Sequence, residues 1–423
     1  MYRKRIADIL LQRKLQSSGA VLIQGPKWCG KTTTAEQVAQ STIYINDPSA
    51  ADNYRLLAET NISLLLQGAT PRLIDEWQLF PRLWDAIRFD VDHNHPHQGR
   101  FILTGSAVPP QANATLHSGV GRFAWLTMRP MSLWESGDSN GMVSLTALFE
   151  GENIGAEATA TDIERLCFLI CRGGWPEAVD MEATSALELP FNYLDAVVSS
   201  DISRVDGVQR NATFARRLLR SYARHQGTSV SINELYADIQ GNAEATLSAR
   251  SLETYLKALR QIFVVEDMEA WNPNLRSKTA IRAANTRYFV DPSIAVAALG
   301  VGPRDLLADL RTLGLLFETM AIRDLRVYTD ALRGNVFHYR DKNGLECDAV
   351  IHLRNGRYAL CEIKLGGETL IDEGARSLLQ LERKIDTTRM SAPAFKMVLT
   401  GLGSYAYRRP DGVLVVPISS LKD

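Results

Sequence analysis

The 423-residue chain has almost no net charge: 47 Lys and Arg against 48 Asp and Glu leave −1. Any contact with nucleic acid must therefore come from a local basic patch. Cysteine is scarce, with five in the whole chain, too few for a disulfide framework at this length. No apolar run approaches the ~20 residues that span a bilayer. The start, MYRKRIADILLQRKL, lacks the long apolar core and small-residue cleavage site of a secretory signal. These absences exclude a disulfide-stapled scaffold and predict a cytoplasmic chain with no membrane contact. What remains is an ordinary globular composition, 45% hydrophobic and 22% charged. At about 150 residues per domain, the length predicts two to four domains, each with its own core.

The most informative stretch is VLIQGPKWCGKTTT, residues 21–34. An apolar run leads into Gly25-Pro26-Lys27-Trp28-Cys29-Gly30-Lys31-Thr32, which meets the phosphate-loop pattern G-x-x-x-x-G-K-[ST] at every fixed position. A loop curling into a helix N-terminus offers closely spaced backbone N–H groups and a favourable dipole to nucleotide phosphates. Gly25 and Gly30 permit the curve, and Thr33 continues into the helix. Lys31 is expected to reach the β- and γ-phosphates and the Thr32 hydroxyl to ligate Mg²⁺. The helical pattern of Ala35, Val38 and Ala39 follows, as the motif requires, and an amphipathic helix over residues 2–17 precedes it.

A second apolar strand ends in Asp75-Glu76. A phosphate-loop ATPase presents Mg²⁺-directed and water-directed carboxylates at the carboxyl edge of its sheet. Asp75 would orient the water shell of magnesium and Glu76 would act as general base. The strand Arg100-Phe101-Ile102-Leu103 ends at Thr104, whose hydroxyl is placed to bond the γ-phosphate or the attacking water. Arg122 or Arg129, from this chain or a neighbouring subunit, could stabilise charge on the transferring phosphate. The histidines His93, His95 and His97 fall in a segment with Pro96 and Gly99, and read as a polar connection rather than a metal site.

These segments resemble a known family, the bacterial and archaeal AAA-type ATP-binding proteins that carry a C-terminal domain of formerly unknown function. The matching text is GPKWCGKTTTA, LIDEWQ, RFILTGSA, GR…RPMSLWE, YFVDPSIA, GLLFETMAIRDL and ALCEIKLG. The resemblance implies an α/β fold with an AAA-type P-loop parallel-sheet domain and a nuclease-like C-terminal domain, with ATP and Mg²⁺ as cofactors. The expected organisation is a P-loop ATPase core over 1–135, an insertion and helical connector over 136–203, a winged-helix domain over 204–300 and a nuclease-like domain over 301–423. Residues 136–160, rich in Gly, Ser, Ala and acids, read as a surface insertion.

Residues 204–287 carry 13 Lys and Arg against 8 Asp and Glu. Helices from Phe214, Ser231 and Ser248, then strands at Ile262–Val265 and Tyr288–Val290, make a winged-helix pattern whose third helix can enter a DNA groove. Arg250, Lys257 and Arg260 are its candidate phosphate contacts. Beyond it, an apolar helix holds one acid, Glu318, and two hairpin-linked strands hold Asp348, Glu362 and Lys364. Residues 362 and 364 share a strand face. Two carboxylates and a lysine so placed could hold Mg²⁺ and activate water against a phosphodiester. The pattern resembles the PD-(D/E)xK nuclease core, which implies Glu318, Asp348 and Glu362 as metal ligands and Lys364 as the catalytic lysine. Cys347 stands where that core has proline. Two functions remain open: an ATP-driven DNA-processing enzyme, and a nucleotide-gated switch that binds a protein partner and cuts nothing. Both a monomer and a homo-oligomer fit.

Overall fold

The computed structural model describes residues 2–105, 120–159, 161–240, 248–273 and 284–423. They form two compact units. The first takes Met1–Pro130, Ser200–Gln209 and Lys257–Phe263, and the second takes Met131–Ser199, Arg210–Leu256 and Val264–Asp423. The chain therefore changes unit within stretches that the sequence assigns to single domains.

The first unit is a five-stranded parallel sheet of β1 (Ala20–Gln24), β2 (Ser41–Tyr44), β3 (Arg72–Asp75), β4 (Phe101–Thr104) and β5 (Phe123–Thr127), in the order β2-β3-β4-β1-β5. A parallel sheet is covered on both faces, so its strands read as continuous apolar runs. Successive side chains go to opposite faces. Val21, Ile23, Leu73 and Ile102 pack with Leu11 and Ala35 from the helices Ile6–Ser17 and Lys31–Glu36. Leu22, Ile74 and Leu103 pack with Trp77, Trp84 and Ile87 on the other side. The first helix begins at Ile6 rather than at residue 2, which frees Tyr2 and Arg5 for other contacts.

In the second unit seven strands form one mixed sheet: β7 (Ala156–Glu157), β8 (Gly334–Arg340), β9 (Glu346–Leu353), β10 (Tyr358–Lys364), β11 (Lys396–Thr400), β12 (Tyr405–Arg408) and β13 (Leu414–Pro417). Their order is β7-β12-β13-β11-β10-β9-β8, while β6 (Val143–Ser144) pairs in parallel with β14 (Leu421–Lys422). Residues 136–149 are thus not a surface insertion, while the described residues 150–159 do lie at the surface. Val143, Leu145, Leu148 and Phe149 are buried, β7 pairs with β12, and Ser139 bonds the Leu421 carbonyl 282 residues away. Partners that distant leave no trace in local composition.

The basic middle segment holds the three expected helices, Ala212–Arg224, Ile232–Gln240 and Ala249–Gln261. The two expected strands are replaced, among the described residues, by isolated antiparallel bridges Val265↔Phe289 and Met268↔Thr286. For the first of these strands the reason is local: the Ile262 N–H still bonds the Ala258 carbonyl, and Phe263 takes a φ of +59°, so half of the expected strand is not extended.

Two of the family-like segments meet in the interior of this unit. Arg323, in the long helix Leu310–Ala331, lies 2.8 Å from Asp291 and 2.7 Å from Asp324, and all three are at most 2% exposed. Asp291 also accepts from the Gly174 N–H and Asp324 from the Leu133 N–H. A buried charge stripped of its partner is strongly destabilising. Arg323→Leu should therefore lower the unfolding free energy in urea by about 3–5 kcal/mol. Adding Asp291→Asn and Asp324→Asn should recover part of that stability.

Candidate functional site

The phosphate loop leaves β1 at the carboxyl edge of the parallel sheet. Gly25 has a φ of +152°, and a Cβ there would stand 2.0 Å from the Met128 carbonyl oxygen. Gly30, at φ +94°, caps the helix Lys31–Glu36. Only glycine accepts both positions without strain. Trp28 nevertheless holds a φ of +64° and is 46% exposed. Pro26 and Cys29 are buried, and Thr33 is exposed. The Lys31 ammonium donates to the Gly25 carbonyl at 3.0 Å and the Pro26 carbonyl at 2.7 Å, bending back over the loop. Arg5 braces the loop from outside, donating to the carbonyls of Cys29 at 2.9 Å and Arg129 at 2.8 Å. No motif signalled Arg5; it is 124 residues from Arg129 in sequence.

Because β4 lies between β1 and β3, with Thr104 in register with both Ile23 and Asp75, three polar side chains converge. Asp75 Oδ1 accepts from Thr32 Oγ1 at 2.8 Å and from Thr104 Oγ1 at 2.5 Å. This set of hard oxygen donors suits Mg²⁺. Glu76 follows in a left-handed conformation, φ +55°, uncommon for a residue with a Cβ. Gln78 donates to its carboxylate. Burial, then the Asp75 charge, push the Glu76 carboxyl above its ordinary range, while Lys31 and Lys27 act in the opposite direction.

The two candidate arginines stand at opposite ends of β5. The Arg122 carbonyl accepts from the Ala20 N–H, and its guanidinium pairs with Asp92 at 2.8 Å. It therefore sits at the amino edge, ~16 Å of strand away from the loop at ~3.3 Å per residue. Arg122 does not reach the phosphate site of its own chain. Arg129 follows the carboxyl end of β5, next to the loop. Parallel strands can be placed only once their pairing is known, so sequence left the two equivalent. Ser106 and Gly119 lie outside the described residues.

In the second unit the structure brings together all four residues of the C-terminal cluster. The hairpin register pairs Cys361 with Ala349, which sets Glu362 opposite Asp348. The Lys364 ammonium lies 3.2 Å from Asp348 and 2.7 Å from Glu362. The Ile363 N–H donates to Asp348 at 2.7 Å, and Ser377 Oγ to Glu362 at 3.2 Å. Glu318 accepts from the Tyr288 hydroxyl at 2.5 Å. Burial raises Glu318 and Glu362, and the Asp348 charge adds to both shifts. Burial alone would lower Lys364, but Asp348 and Glu362 hold it above its ordinary value. The donor chemistry suits a hard cation, yet among the described residues no group of three ligating side chains is placed to hold a metal ion. The cation present between the carboxylates is the lysine. Ser377 and Tyr288 were not expected from the sequence.

Arg250, Lys257 and Arg260 are all exposed along the helix Ala249–Gln261, with Glu253 among them. A stronger basic face was missed: Arg216, Arg217, Arg220 and Arg224 are exposed on the helix Ala212–Arg224, which contains no acid. At 100° per residue they fall on one stripe. Asp195 pairs with Arg216 at 2.7 Å, and Asp238 lies 3.5 Å from Arg224. The signal was present in the sequence as arginines at i, i+1, i+4 and i+8. Among the described residues no helix is long and apolar enough to cross a membrane.

Residues 17–136 match the AAA domain family, while residues 163–305 and 313–421 match two domains of unknown function, DUF8612 and DUF4143. Two uncharacterised mycobacterial proteins, Mb2031c of Mycobacterium bovis and Rv2008c of Mycobacterium tuberculosis, are each 24% identical over 95% of this chain and 86% of theirs. The Walker-type ATPase of Pyrococcus abyssi is similar over 69% of this chain and 94% of its own, at 12% identity and a TM-score of 0.40, too low to bear on function. The family match over 17–136, the parallel sheet order and the loop geometry agree: the N-terminal part of the chain holds a P-loop domain of the AAA type.

Proposed function

We propose that the chain binds ATP with Mg²⁺ at Gly25–Thr32 and hydrolyses it. The observation that carries this reading is the convergence of Thr32, Asp75 and Thr104 beside the Lys31 loop. Loop N–H groups and the helix N-terminus would cradle the phosphates, and Lys31 would leave its carbonyl partners for the β- and γ-phosphates. Thr32 and Asp75 would hold Mg²⁺, which neutralises charge on the β- and γ-oxygens when bound. Glu76 would take the proton of the attacking water, its raised proton affinity suiting a base. Of the two candidate arginines, Arg129, whose carbonyl Arg5 holds beside the loop, would be the one to stabilise the developing charge.

Lys31→Ala should abolish nucleotide binding, measured by titration calorimetry. Glu76→Gln should keep binding and lower turnover by about 10²–10⁴-fold, the range for removal of a general base. Turnover needs Glu76 ionised, and its folded-state proton affinity is raised. Activity should therefore fall on acidification at a pH above that of an ordinary glutamate. A Glu76→Gln rate equal to wild type would remove the base assignment.

For the rest of the chain we infer an action on nucleic acid. The carrying observation is the cluster of Asp348, Glu362 and Lys364 on one sheet face. Asp348 and Glu362 would bind a divalent cation, Glu318 would approach it, and Lys364 would orient water or offset charge on a phosphodiester. Asp348→Ala should then remove Mg²⁺- or Mn²⁺-dependent nicking of plasmid DNA while ATP turnover continues. Wild-type protein that never cuts DNA under any metal or nucleotide condition would favour the alternative, a nucleotide-gated switch with a protein partner. The lysine lodged between the carboxylates is the observation on that side.

The middle segment, read as a winged helix, would supply the affinity. Its contacts should be mainly to phosphates, so binding should weaken steeply with salt. Charge reversal of Arg250, Lys257 and Arg260 should weaken binding to unrelated sequences alike and reduce the salt slope by about one for each phosphate no longer neutralised. Unchanged isotherms would remove that helix from the interface and leave the arginine stripe of Ala212–Arg224, tested by the same reversal.

A further inference from the structure

We propose that Lys27 reads the terminal phosphate of a bound nucleoside triphosphate, and that Asp201 competes with that phosphate for the same ammonium. The inference rests on the proposed nucleotide site and concerns how that site tells ATP from ADP.

Lys27 is the third residue of the phosphate loop, at a position the loop pattern leaves unspecified. Its ammonium lies 2.6 Å from Asp201 Oδ1, 174 residues onward in the chain. Lys27 lies four residues before Lys31 on the same loop, and the charges of both oppose the upward shift of the Glu76 carboxyl. The lysine that the pattern does specify, Lys31, is already turned onto the Gly25 and Pro26 carbonyls. Both cations of the loop are thus held by protein oxygens, and a phosphate must win each one away.

The two partners of Lys27 differ in strength. The Lys27 side chain is 41% exposed and that of Asp201 is 8% exposed. The ammonium end of the pair is open to water and can change partners, while the buried Asp201 loses charge stabilisation when it does. A terminal phosphate brings about two negative charges and three acceptor oxygens, and it has the stronger claim. ADP lacks that group, so with ADP the Asp201 pair persists. Lys27 thereby adds attraction for ATP alone, reduced by whatever the Asp201 pair contributes.

Asp201 has a structural place that gives the exchange a consequence. It ends the five-residue π-helical turn Val197–Asp201, a widened turn of the kind that recurs at functional sites. The chain passes from the second compact unit back to the first between Ser199 and Ser200. Breaking the Lys27 pair leaves Asp201 held by the neighbouring Ser200 hydroxyl at 3.3 Å.

The test is titration calorimetry of the full chain with Mg²⁺ and either a non-hydrolysable ATP analogue or ADP. Asp201→Asn removes the competitor without stranding a charge, and should tighten the analogue about two- to fivefold while leaving ADP unchanged. Lys27→Met should lower the analogue-to-ADP preference by fivefold or more. Asp201→Asn made in the Lys27→Met background should have no further effect, because the ammonium it releases is gone. If Asp201→Asn tightens both nucleotides equally, or neither, Asp201 is no competitor and the proposal fails with the ATP reading intact. The same holds if Lys27→Met leaves the preference unchanged. If wild-type protein binds neither nucleotide, both readings fall together. Circular dichroism of each variant separates these outcomes from misfolding, and Asp201→Asn alone decides the matter should Lys27→Met not fold.

Discussion

Parallel pairing of β3, β4 and β1 is the constraint on which the N-terminal unit depends. In a parallel sheet every strand delivers its carboxyl end to the same edge. Asp75, Thr104 and the phosphate loop therefore meet without any of them being near in sequence. The interposed β4 matters as much as the direction. It puts the Thr104 hydroxyl on Asp75 Oδ1, where Thr32 also donates, so one carboxylate oxygen ties the loop helix to two strand ends. The same constraint separates the arginines, leaving Arg129 at the phosphate edge and Arg122 at the far one.

The second unit depends on a different kind of interaction. Arg323 with Asp291 and Asp324 is an ionic cluster in an apolar interior. Desolvation makes such a cluster costly to break and selective about geometry. It joins the long helix to the turn before Pro292–Leu299, and through backbone N–H groups to Gly174 and Leu133. These charged residues lie in segments that resemble a family, yet the structure gives them an architectural task. A family-like motif can mark a buried tie as readily as a reacting group. The C-terminal cluster contrasts with it. Lys364 and Asp348 are partly open to solvent, at 24% and 19% of their side-chain surface, which leaves them able to exchange partners.

Strong charge can also hide within a neutral total. The chain as a whole is at −1, but the helix Ala212–Arg224 carries four exposed arginines and no acid. Summing over residues 204–287 located the basic segment and pointed to its third helix. Reading the helix period arginine by arginine would have pointed to the first as well.

Local pattern determined a good deal of this protein. The phosphate loop, its flanking strand and helix, the Asp75-Glu76 strand end and the hairpin bearing Asp348, Glu362 and Lys364 were all legible. In each case the information lies within a few consecutive residues and their period of 2 or 3.6. Tertiary structure decided everything that rests on contacts between distant segments. It buried Val143, Leu145, Leu148 and Phe149 of the expected surface insertion and paired β6 with β14 and β7 with β12, removed Arg122 from the loop, and supplied Arg5, Ser377 and Tyr288 to sites that no motif assigned them. It also paired Lys27 with Asp201 across 174 residues. Spacing along a chain sets which face a side chain takes, but only the packing of strands and helices sets what stands opposite it.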